Sequence, residues 1–396
     1  MMWLKIGILL CVGLSNAVDL EILNEWNLLD FNFPDYEFIK NFKPENTVFT
    51  GLEITDDRLI LAMPRLRAGI PATLASIPRN TPKGSSPKLD AYPDWSFHAA
   101  GVDNTSCTGL VSVYRIRQDS CNRLWVLDSG VQTSIDNFQR VCDPKLVIFD
   151  LRTDTVVRTV VFPKEVLRPA SLMTNLVIDE SVNGKCDSAL VYMSDTAAPG
   201  VVVYDSSKDN IWRFMHPSMF PDPNFSDYTI DNERFTLMDG IVGLGFSPNR
   251  GLLYYQPLAT DRIFSVSTSV LRKGPLAEGV DLPVALVGKK SSQGLGLAVD
   301  SFSDTLYFSP LEQTSIASWN PKSNQERLLA FDPQKLQFLA EIRWAEKDGG
   351  NVWALSTRFQ KFFRRTVNGN EINLRIVRVP KATEPQFPLS NSLLYF

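Results

Sequence analysis

Several acidic, amide and hydroxyl side chains stand beside short runs of β-branched and aromatic residues. Asn175, Asp239 and Gln293 come before such runs, whereas Thr357 and the nearby Phe359 follow one. A few polar groups that converge among apolar and aromatic side chains are the usual composition of a small-ligand pocket. Carboxylates can also take up or release protons, although the sequence selects no acid–base pair.

The runs that must position these residues have the character of strands, broken by Gly, Pro, Asn and Asp. A strand, a polar turn and a second apolar strand that ends in a small or polar residue recur six times along the chain. The centres of the second strands are Ile60, Trp125, Tyr192, Tyr254, Tyr307 and Trp353. Multi-strand repeats of this kind predict an all-β fold, a six-bladed β-propeller. Two β-sandwiches are the alternative.

The first two strands of a blade run antiparallel, so the start of the first and the end of the second share one mouth of the central channel. Five positions precede first strands: Thr108, Asn175, Asp239, Gln293 and Ile342. Six positions follow second strands: Met63, Asp128, Asp195, Gln256, Ser309 and Thr357. An early strand-like run at 21–26 has no partner nearby. We expect it to pair with the last blade and close the ring, which would remove an exposed edge.

No motif in the chain demands catalysis. The sequence lacks a Gly-x-Ser-x-Gly elbow, a His-Glu-x-x-His pair and a phosphate-binding loop, and its only histidines are His98 and His216. The cysteines have no close Cys-x-x-Cys spacing of the kind that holds zinc. We therefore predict a protein that is not an enzyme and that carries no metal and no cofactor.

The N-terminus and the cysteines predict secretion. Residues 1–17 combine Lys5, a short apolar run and small residues at Ser15 and Ala17, which is the pattern of a cleaved signal peptide. Residues 18–396 then form a single propeller domain, which we expect to be monomeric. The formal net charge of −4 argues against nucleic-acid binding, and no later stretch suits a membrane helix. Asn104 and Asn224 lie in N-x-S/T triplets and are predicted glycosylation sites.

Four cysteines remain after the signal segment, and an even number in an oxidising compartment predicts two disulfides with three possible connectivities. Cys121 and Cys142 lie in the same blade, so we predict that they pair with each other. Cys107 and Cys186 would then tie neighbouring blades.

Several motifs together resemble the yellow/major royal jelly protein family over essentially the whole chain. They are the segments 51–54, 61–65, 69–74, 107–115, 123–130, 239–243 and 353–359. Within that family the segments 288–294 and 318–321 look most like the yellow-related salivary proteins of blood-feeding sand flies. The resemblance implies a six-bladed propeller that sequesters serotonin, catecholamines and in some members histamine in its channel, and so counters host haemostasis and inflammation.

The resemblance also implies which residues contact the amine. Relatives use an Asn-x-Phe step after the second strand of the last blade, where this chain has Thr357 and the matching Phe359. They also use a Thr at the start of that blade, where the nearest positions here are Ile342 and Arg343. Neither of these accepts a hydrogen bond, and one lost acceptor to a cation costs about 1.5 to 3 kcal/mol.

Two other functions remain open. Some family members are linked to the conversion of oxidised dopa derivatives in melanin formation, which would make the chain an enzyme. A basic and aromatic cluster could instead dock an anionic polymer such as heparin. Its members are Arg358, Phe359, Lys361, Phe362, Phe363, Arg364 and Arg365.

Overall fold

The computed structural model describes residues 20–101, 107–182, 186–381 and the short strand Leu394–Tyr395. Six antiparallel sheets of at least four strands form the blades, numbered here along the chain. The strands of blade 1 are Gly51–Ile54, Arg58–Ala62, Leu74–Pro78 and Asp90–Ala91. Those of blade 2 are Val113–Gln118, Arg123–Asp128, Lys145–Asp150 and Thr155–Val161. Those of blade 3 are Met173–Asp179, Leu190–Asp195, Gly200–Asp205 and Asn210–Phe214.

The remaining three blades follow the same order from the axis outwards. Blade 4 has the strands Ile241–Ser247, Leu252–Pro257, Arg262–Ser267 and Val284–Lys290, with Leu394–Tyr395 added at its outer edge. Blade 5 has the strands Leu297–Val299, Leu306–Phe308, Ser315–Asn320 and Gln325–Phe331. Blade 6 has the strands Leu339–Ala345, Asn351–Ser356 and Leu374–Val379 with Glu21–Trp26 outermost.

The first strand of every blade lies next to the first strand of the following blade, and blade 6 meets blade 1. This closed ring confirms the predicted all-β six-bladed β-propeller and excludes two β-sandwiches. All six innermost strands run in the same direction along the channel. We call the end where they begin the first mouth and the end where they finish the second mouth.

The N-terminal strand closes the ring as predicted. Glu21–Trp26 pairs antiparallel with Leu374–Val379, so the outermost strand of the last blade comes from the start of the chain. Ion pairs join the two strands, with Arg375 Nε 3.2 Å from a carboxylate oxygen of Glu25 and Arg378 Nε 2.7 Å from one of Glu21. The pairing covers an edge that would otherwise expose unpaired backbone groups.

Apolar side chains fill the wedges between neighbouring blades. Trp125, Tyr192, Tyr204 and Tyr255 are fully buried in these wedges, together with many Val, Leu and Ile residues. The innermost strands approach so closely that some positions tolerate no side chain. A Cβ atom on Gly296 would lie 2.8 Å from Cγ1 of Ile342 on the next blade. Tight packing of this kind fixes the spacing of the blades around the channel.

A buried ionic cluster spans blades 6, 1 and 2. One carboxylate oxygen of Glu341 lies 3.0 Å from Arg115 and the other lies 2.6 Å from Arg117, and all three side chains are almost wholly buried. The Leu52 N–H of blade 1 also donates to Glu341. Beside it, Arg343 contacts both carboxylate oxygens of Glu53 at 2.9 Å. Burial alone would raise the pKa of Glu341, but the Arg115, Arg117 and Arg343 guanidiniums hold it below its usual range.

Short helices and two additional hairpins lie outside the six blade sheets. The α-helices are Tyr36–Ile39, Thr268–Leu271 and Phe359–Arg364, and the extra hairpins are Val131–Gln132 with Gln139–Arg140 and Asp227–Ile230 with Glu233–Thr236. The 3₁₀ turns are Pro44–Asn46, Trp95–Gly101, Lys164–Val166, Cys186–Ser188, Pro217–Met219, Pro223–Phe225, Leu311–Gln313 and Glu346–Asp348. The helix at 359–364 packs on the hairpin at 227–236, next to the first mouth.

The predicted disulfide pairing was wrong. Cys107 pairs with Cys142 and Cys121 with Cys186, with Cα–Cα distances of 5.7 and 5.9 Å. Cys121 lies in the turn between the first two strands of blade 2, at the second mouth. Cys142 precedes the third strand of that blade, at the opposite end. Two cysteines at opposite ends of a blade cannot meet, whereas each observed pair lies at one end.

Other predictions concern the termini and the surface. The predicted signal peptide at 1–17 and the triplet at Asn104 lie outside the described residues. Asn224 is exposed in the middle of the 3₁₀ turn Pro223–Phe225, where its side-chain amide donates to Asp222 at 3.0 Å. Within the described part of the chain, none of the helices has the length and apolar character needed to span a membrane.

We expect Glu341→Gln to lower the free energy of unfolding by about 3 to 5 kcal/mol, because it leaves buried arginine charges without their partner. Denaturant titration followed by tryptophan fluorescence measures the change. Glu45→Gln, at an exposed glutamate, is the control and should shift the value by less than about 0.5 kcal/mol. Equal free energies of unfolding for the two variants would show that the ionic cluster does not stabilise the propeller.

Candidate functional site

Asp239 marks the first mouth. It lies two residues before the innermost strand of blade 4, Ile241–Ser247, and its side chain is only partly accessible. Burial raises the pKa of Asp239 from 3.8 to about 6. Among the described residues, neither a cation nor a hydrogen-bond donor lies within bonding distance of the carboxylate. A carboxylate that is desolvated but unpaired is a typical feature of functional sites.

Two tyrosines lie beside this carboxylate. Burial, and also the charge of Asp239, raise the pKa of Tyr114 and of Tyr228 above the usual range. The Tyr114 hydroxyl is bonded to Ser134 at 2.8 Å, whereas the buried Tyr228 hydroxyl has no hydrogen-bond partner in the described structure. An unsatisfied buried hydroxyl costs about 1 to 3 kcal/mol. Asp239 lies near enough for its charge to act on this hydroxyl, which is buried without a hydrogen-bond partner among the described residues.

A row of aromatic rings extends from Tyr228 across the mouth. Tyr228 stacks on Phe235 with ring centroids 4.9 Å apart, and Phe235 lies 6.2 Å from Phe338. Phe338 in turn stacks on Phe359 at 4.7 Å. The hairpin at 227–236 supplies the first two rings, and the start of blade 6 and the helix at 359–364 supply the others. All four rings are less than 10% exposed, so they form a buried aromatic layer beside the mouth, which we call the aromatic wall.

Asp239 and Phe359 are thus the two predicted site residues that this arrangement brings together, through the rings between them. Thr357 lies close by but is buried, and its hydroxyl donates to the Phe338 carbonyl at 3.2 Å. In this structure the Thr357 hydroxyl therefore holds the loop that carries Phe338. Its predicted contact with a ligand stays a prediction.

The other three predicted residues have structural neighbours. The Asn175 amide donates to the Val242 carbonyl of the next blade at 2.8 Å. The Gln293 amide donates to the carbonyls of Phe225 and Asp227 at 3.1 and 2.7 Å, which ties down the hairpin beside the mouth. Ile342 packs in an apolar cluster between blades 5 and 6 and is 1% exposed. Alternation along the strand turns Ile342 away from the channel and its neighbour Glu341 towards the buried arginines.

Four aromatic residues beside the mouth were not predicted from the sequence: Tyr114, Tyr228, Phe235 and Phe338. Tyr228 and Phe235 lie in the long insertion between blades 3 and 4, which no strand periodicity places near the axis. Phe338 lies one residue before the innermost strand of blade 6, so the rule that selected Asp239 would also have selected it. Tyr114 belongs to the predicted strand of blade 2, where only burial distinguishes a channel residue from core.

The basic cluster at 358–365 is not a free cationic surface. Arg358 and Lys361 pair with Glu371 at 2.8 and 2.6 Å. Arg364 lies 3.4 Å from Glu233 and Arg365 lies 2.9 Å from Asp136. Phe359 and Phe362 pack in the core. These ion pairs hold the helix against neighbouring acidic residues. They argue against the prediction that the cluster binds an anionic polymer such as heparin.

One group of possible metal ligands occurs in the described structure, made of Asp119, Glu180 and Cys186. Cys186 is in a disulfide with Cys121, so its sulfur is not a thiolate ligand. Asp119 accepts hydrogen bonds from Arg123 at 2.7 Å and from the Trp125 ring at 2.8 Å. Cys186 and Asp119 are therefore already engaged in contacts within the protein.

The blades form a six-bladed propeller, with the partly exposed carboxylate of Asp239 next to buried aromatic side chains at one mouth. The family model of the major royal jelly proteins matches residues 111–386. Protein yellow of Drosophila erecta is 33% identical over 385 residues, which cover 93% of this chain and 70% of that protein. The chain belongs to the major royal jelly protein family, which confirms the predicted resemblance.

One further relative and one solved structure are also similar to this chain. Dopaminechrome tautomerase of Drosophila melanogaster is 29% identical over 390 residues, 92% of this chain and 83% of that protein. A solved virginiamycin B lyase from Staphylococcus aureus has a TM-score of 0.45 and 9% sequence identity over 78% of each chain. That likeness is too weak to support an argument.

The prediction that the protein is not an enzyme was wrong. It rested on the absence of familiar catalytic motifs, but the chain aligns almost end to end with a relative named as a tautomerase. A tautomerase moves a proton within one molecule and needs neither a nucleophile motif nor a metal cluster. The motif search therefore could not have detected this kind of chemistry.

We expect Asp239→Asn to stabilise the fold at pH 8 by up to about 3 kcal/mol, the equivalent of the pKa shift. Because folding raises this pKa, the folded chain holds the proton more tightly. The stability cost of ionisation therefore appears as pH rises from about 4 to about 6. Denaturant titrations at pH 4 and pH 8 measure the difference, which should vanish at pH 4. Asp281→Asn, at an exposed aspartate, should show no such dependence.

Proposed function

We propose that this protein binds a catechol-derived aromatic molecule at the first mouth and catalyses a proton transfer of the tautomerase type. The observation that carries the proposal is the unpaired Asp239 carboxylate, whose pKa is raised to about 6 beside the Tyr228 hydroxyl and the aromatic wall. The relationship to dopaminechrome tautomerase supports the same class of substrate.

The chemistry matches the groups at the site. Tautomerisation removes a proton from a ring carbon of an aminochrome and returns one to a quinone oxygen, so atoms and electrons balance without an oxidant or a cofactor. A base is most effective when its pKa lies near the working pH. Asp239 would take the carbon proton, and the Tyr228 hydroxyl would donate a hydrogen bond to the oxygen. The aromatic wall would hold the ring of the substrate in place.

Binding of protonated biogenic amines at the same mouth is a second candidate. An ionised Asp239 can pair with an ammonium group, and the ring faces near it add about 0.5 to 2 kcal/mol. Serotonin and catecholamines carry both the cation and the ring, and histamine carries a smaller ring. The disulfides Cys107–Cys142 and Cys121–Cys186 favour action in an oxidising extracellular compartment.

We expect the purified protein to accelerate the disappearance of dopaminechrome, followed by its visible absorbance, with a rate that rises with pH through about 6 as Asp239 loses its proton. Asp239→Asn should lower the rate about 100-fold or more, which is a typical contribution of a general base. Tyr228→Phe should lower it less, because it removes only a hydrogen bond.

Asp281→Asn should keep the wild-type rate in the same assay. An Asp239→Asn variant that is folded and as fast as the wild type would refute the role of Asp239. The absence of any acceleration by the wild-type protein would refute the tautomerase proposal and leave amine binding as the function to test.

We expect serotonin to bind at one site per chain in a calorimetric titration at pH 7.5. Phe359→Ala should weaken it about tenfold, because the ligand loses a stacking face worth about 0.5 to 1.5 kcal/mol together with buried apolar area. Phe331→Ala, at a 57% exposed ring on the outer strand of blade 5, should leave the affinity unchanged. No heat with serotonin, dopamine or histamine would exclude amine binding.

A further inference from the structure

The second mouth of the channel opens into a cavity of about 600 Å³. Residues from the ends of all six innermost strands line it, so it lies on the propeller axis, at the opposite end from Asp239. A volume of this size suits a small organic molecule. The site proposed above does not use this space.

The wall and the base of this cavity differ in chemistry. Ile178, Phe246 and Val299 contribute apolar surface from blades 3, 4 and 5. Arg117 and Arg343 lie on the opposite side, where the cavity meets the buried ionic cluster. A ligand that fills the cavity would therefore contact hydrocarbon on one side and guanidinium groups on the other.

The ionic cluster at the base carries an excess positive charge. Arg115, Arg117 and Arg343 supply three cations, whereas Glu53 and Glu341 supply two anions. Except for Arg343, whose side chain is 20% exposed, all of these residues are less than 9% exposed. One cation in a poorly solvated site is thus left without a counterion of its own, a condition that favours the binding of an anion.

Hydrogen-bond donors without a partner at the base of the cavity also favour the binding of an anion. The Nε atoms of Arg117 and Arg343 are both buried and have no hydrogen-bond partner in the described residues. Burial, and then the neighbouring Arg343 guanidinium, lower the pKa of Arg117 to about 9. A bound carboxylate would satisfy these donors and reduce the repulsion between the two guanidiniums.

The rim of the cavity also carries the carboxylates of Asp119, Glu180 and Glu346. Glu180 accepts hydrogen bonds from the backbone and the hydroxyl of Ser120 at 3.1 and 2.9 Å. Asp119 is bonded to Arg123 at 2.7 Å. Glu53 accepts from the Gln118 N–H at 3.0 Å in addition to Arg343. At the base of the cavity, the Nε atoms of Arg117 and Arg343 remain without a hydrogen-bond partner among the described residues.

We infer that the second mouth binds an organic carboxylate, with its apolar body against Ile178, Phe246 and Val299 and its carboxylate on Arg117 and Arg343. Such a ligand would occupy the opposite end of the channel from the catechol-derived molecule. The inference does not depend on the function proposed for the first mouth.

Calorimetric titration with naphthalene-1-carboxylate tests the inference, because this rigid probe combines a ring with one carboxylate. We expect binding at one site per chain in the micromolar range. The neutral analogue naphthalene-1-carboxamide should bind at least tenfold more weakly, since it cannot form the charge-assisted bonds. Excess serotonin should not compete. Equal affinity for the carboxamide, or competition by serotonin, would overturn the proposal, as would no heat with naphthalene-1-carboxylate.

Two variants locate the site. Arg343→Gln should weaken the carboxylate at least tenfold, and Val299→Asp should do the same by placing a negative charge in the wall without touching the ionic cluster. Phe331→Ala, at the exposed ring on blade 5, is the control and should bind like the wild type. Thermal unfolding verifies that each variant is folded. Wild-type affinity in both folded variants would place the probe elsewhere and refute the inference.

Discussion

The ring depends on the buried carboxylate of Glu341. This residue lies in the last blade, yet it is bonded to the backbone of blade 1 and to two arginines of blade 2. It therefore crosses the seam where the end of the chain must meet its beginning. The outer strand Glu21–Trp26 closes the same seam at the rim. Buried charges are tolerated there because each carboxylate is surrounded by guanidinium and N–H donors.

The single direction of the innermost strands gives the channel two chemically different mouths. At the first mouth the chain places a carboxylate without a cation, beside tyrosines and stacked phenylalanines. At the second mouth it places two guanidiniums of the ionic cluster beside aliphatic and aromatic side chains. The ionic cluster lies towards the second mouth and leaves Asp239 without a partner. The charges of the ring-closing cluster thus lie towards one mouth, and the charge of Asp239 lies at the other.

Strand alternation and turn residues are local signals, so the six modules and the closing strand followed from the sequence. Asp239 followed as well, because its position before an innermost strand determines its mouth. The same rule would have placed Cys121 and Cys142 at opposite ends of blade 2 and so excluded their pairing. It would also have favoured Phe338 over Ile342, whose side chain the strand turns into the core.

By itself the sequence determined the all-β propeller, the closure of its ring and the family. Periodicity and motif residues are properties of contiguous segments, which explains why these could be read directly. Only the tertiary structure decided which polar groups are already satisfied. Asn175, Gln293 and Thr357 resemble Asp239 in sequence, but partners from distant segments engage them and leave Asp239 unpaired. The proposed function depends on an unpaired group, and pairing is set by contacts between blades.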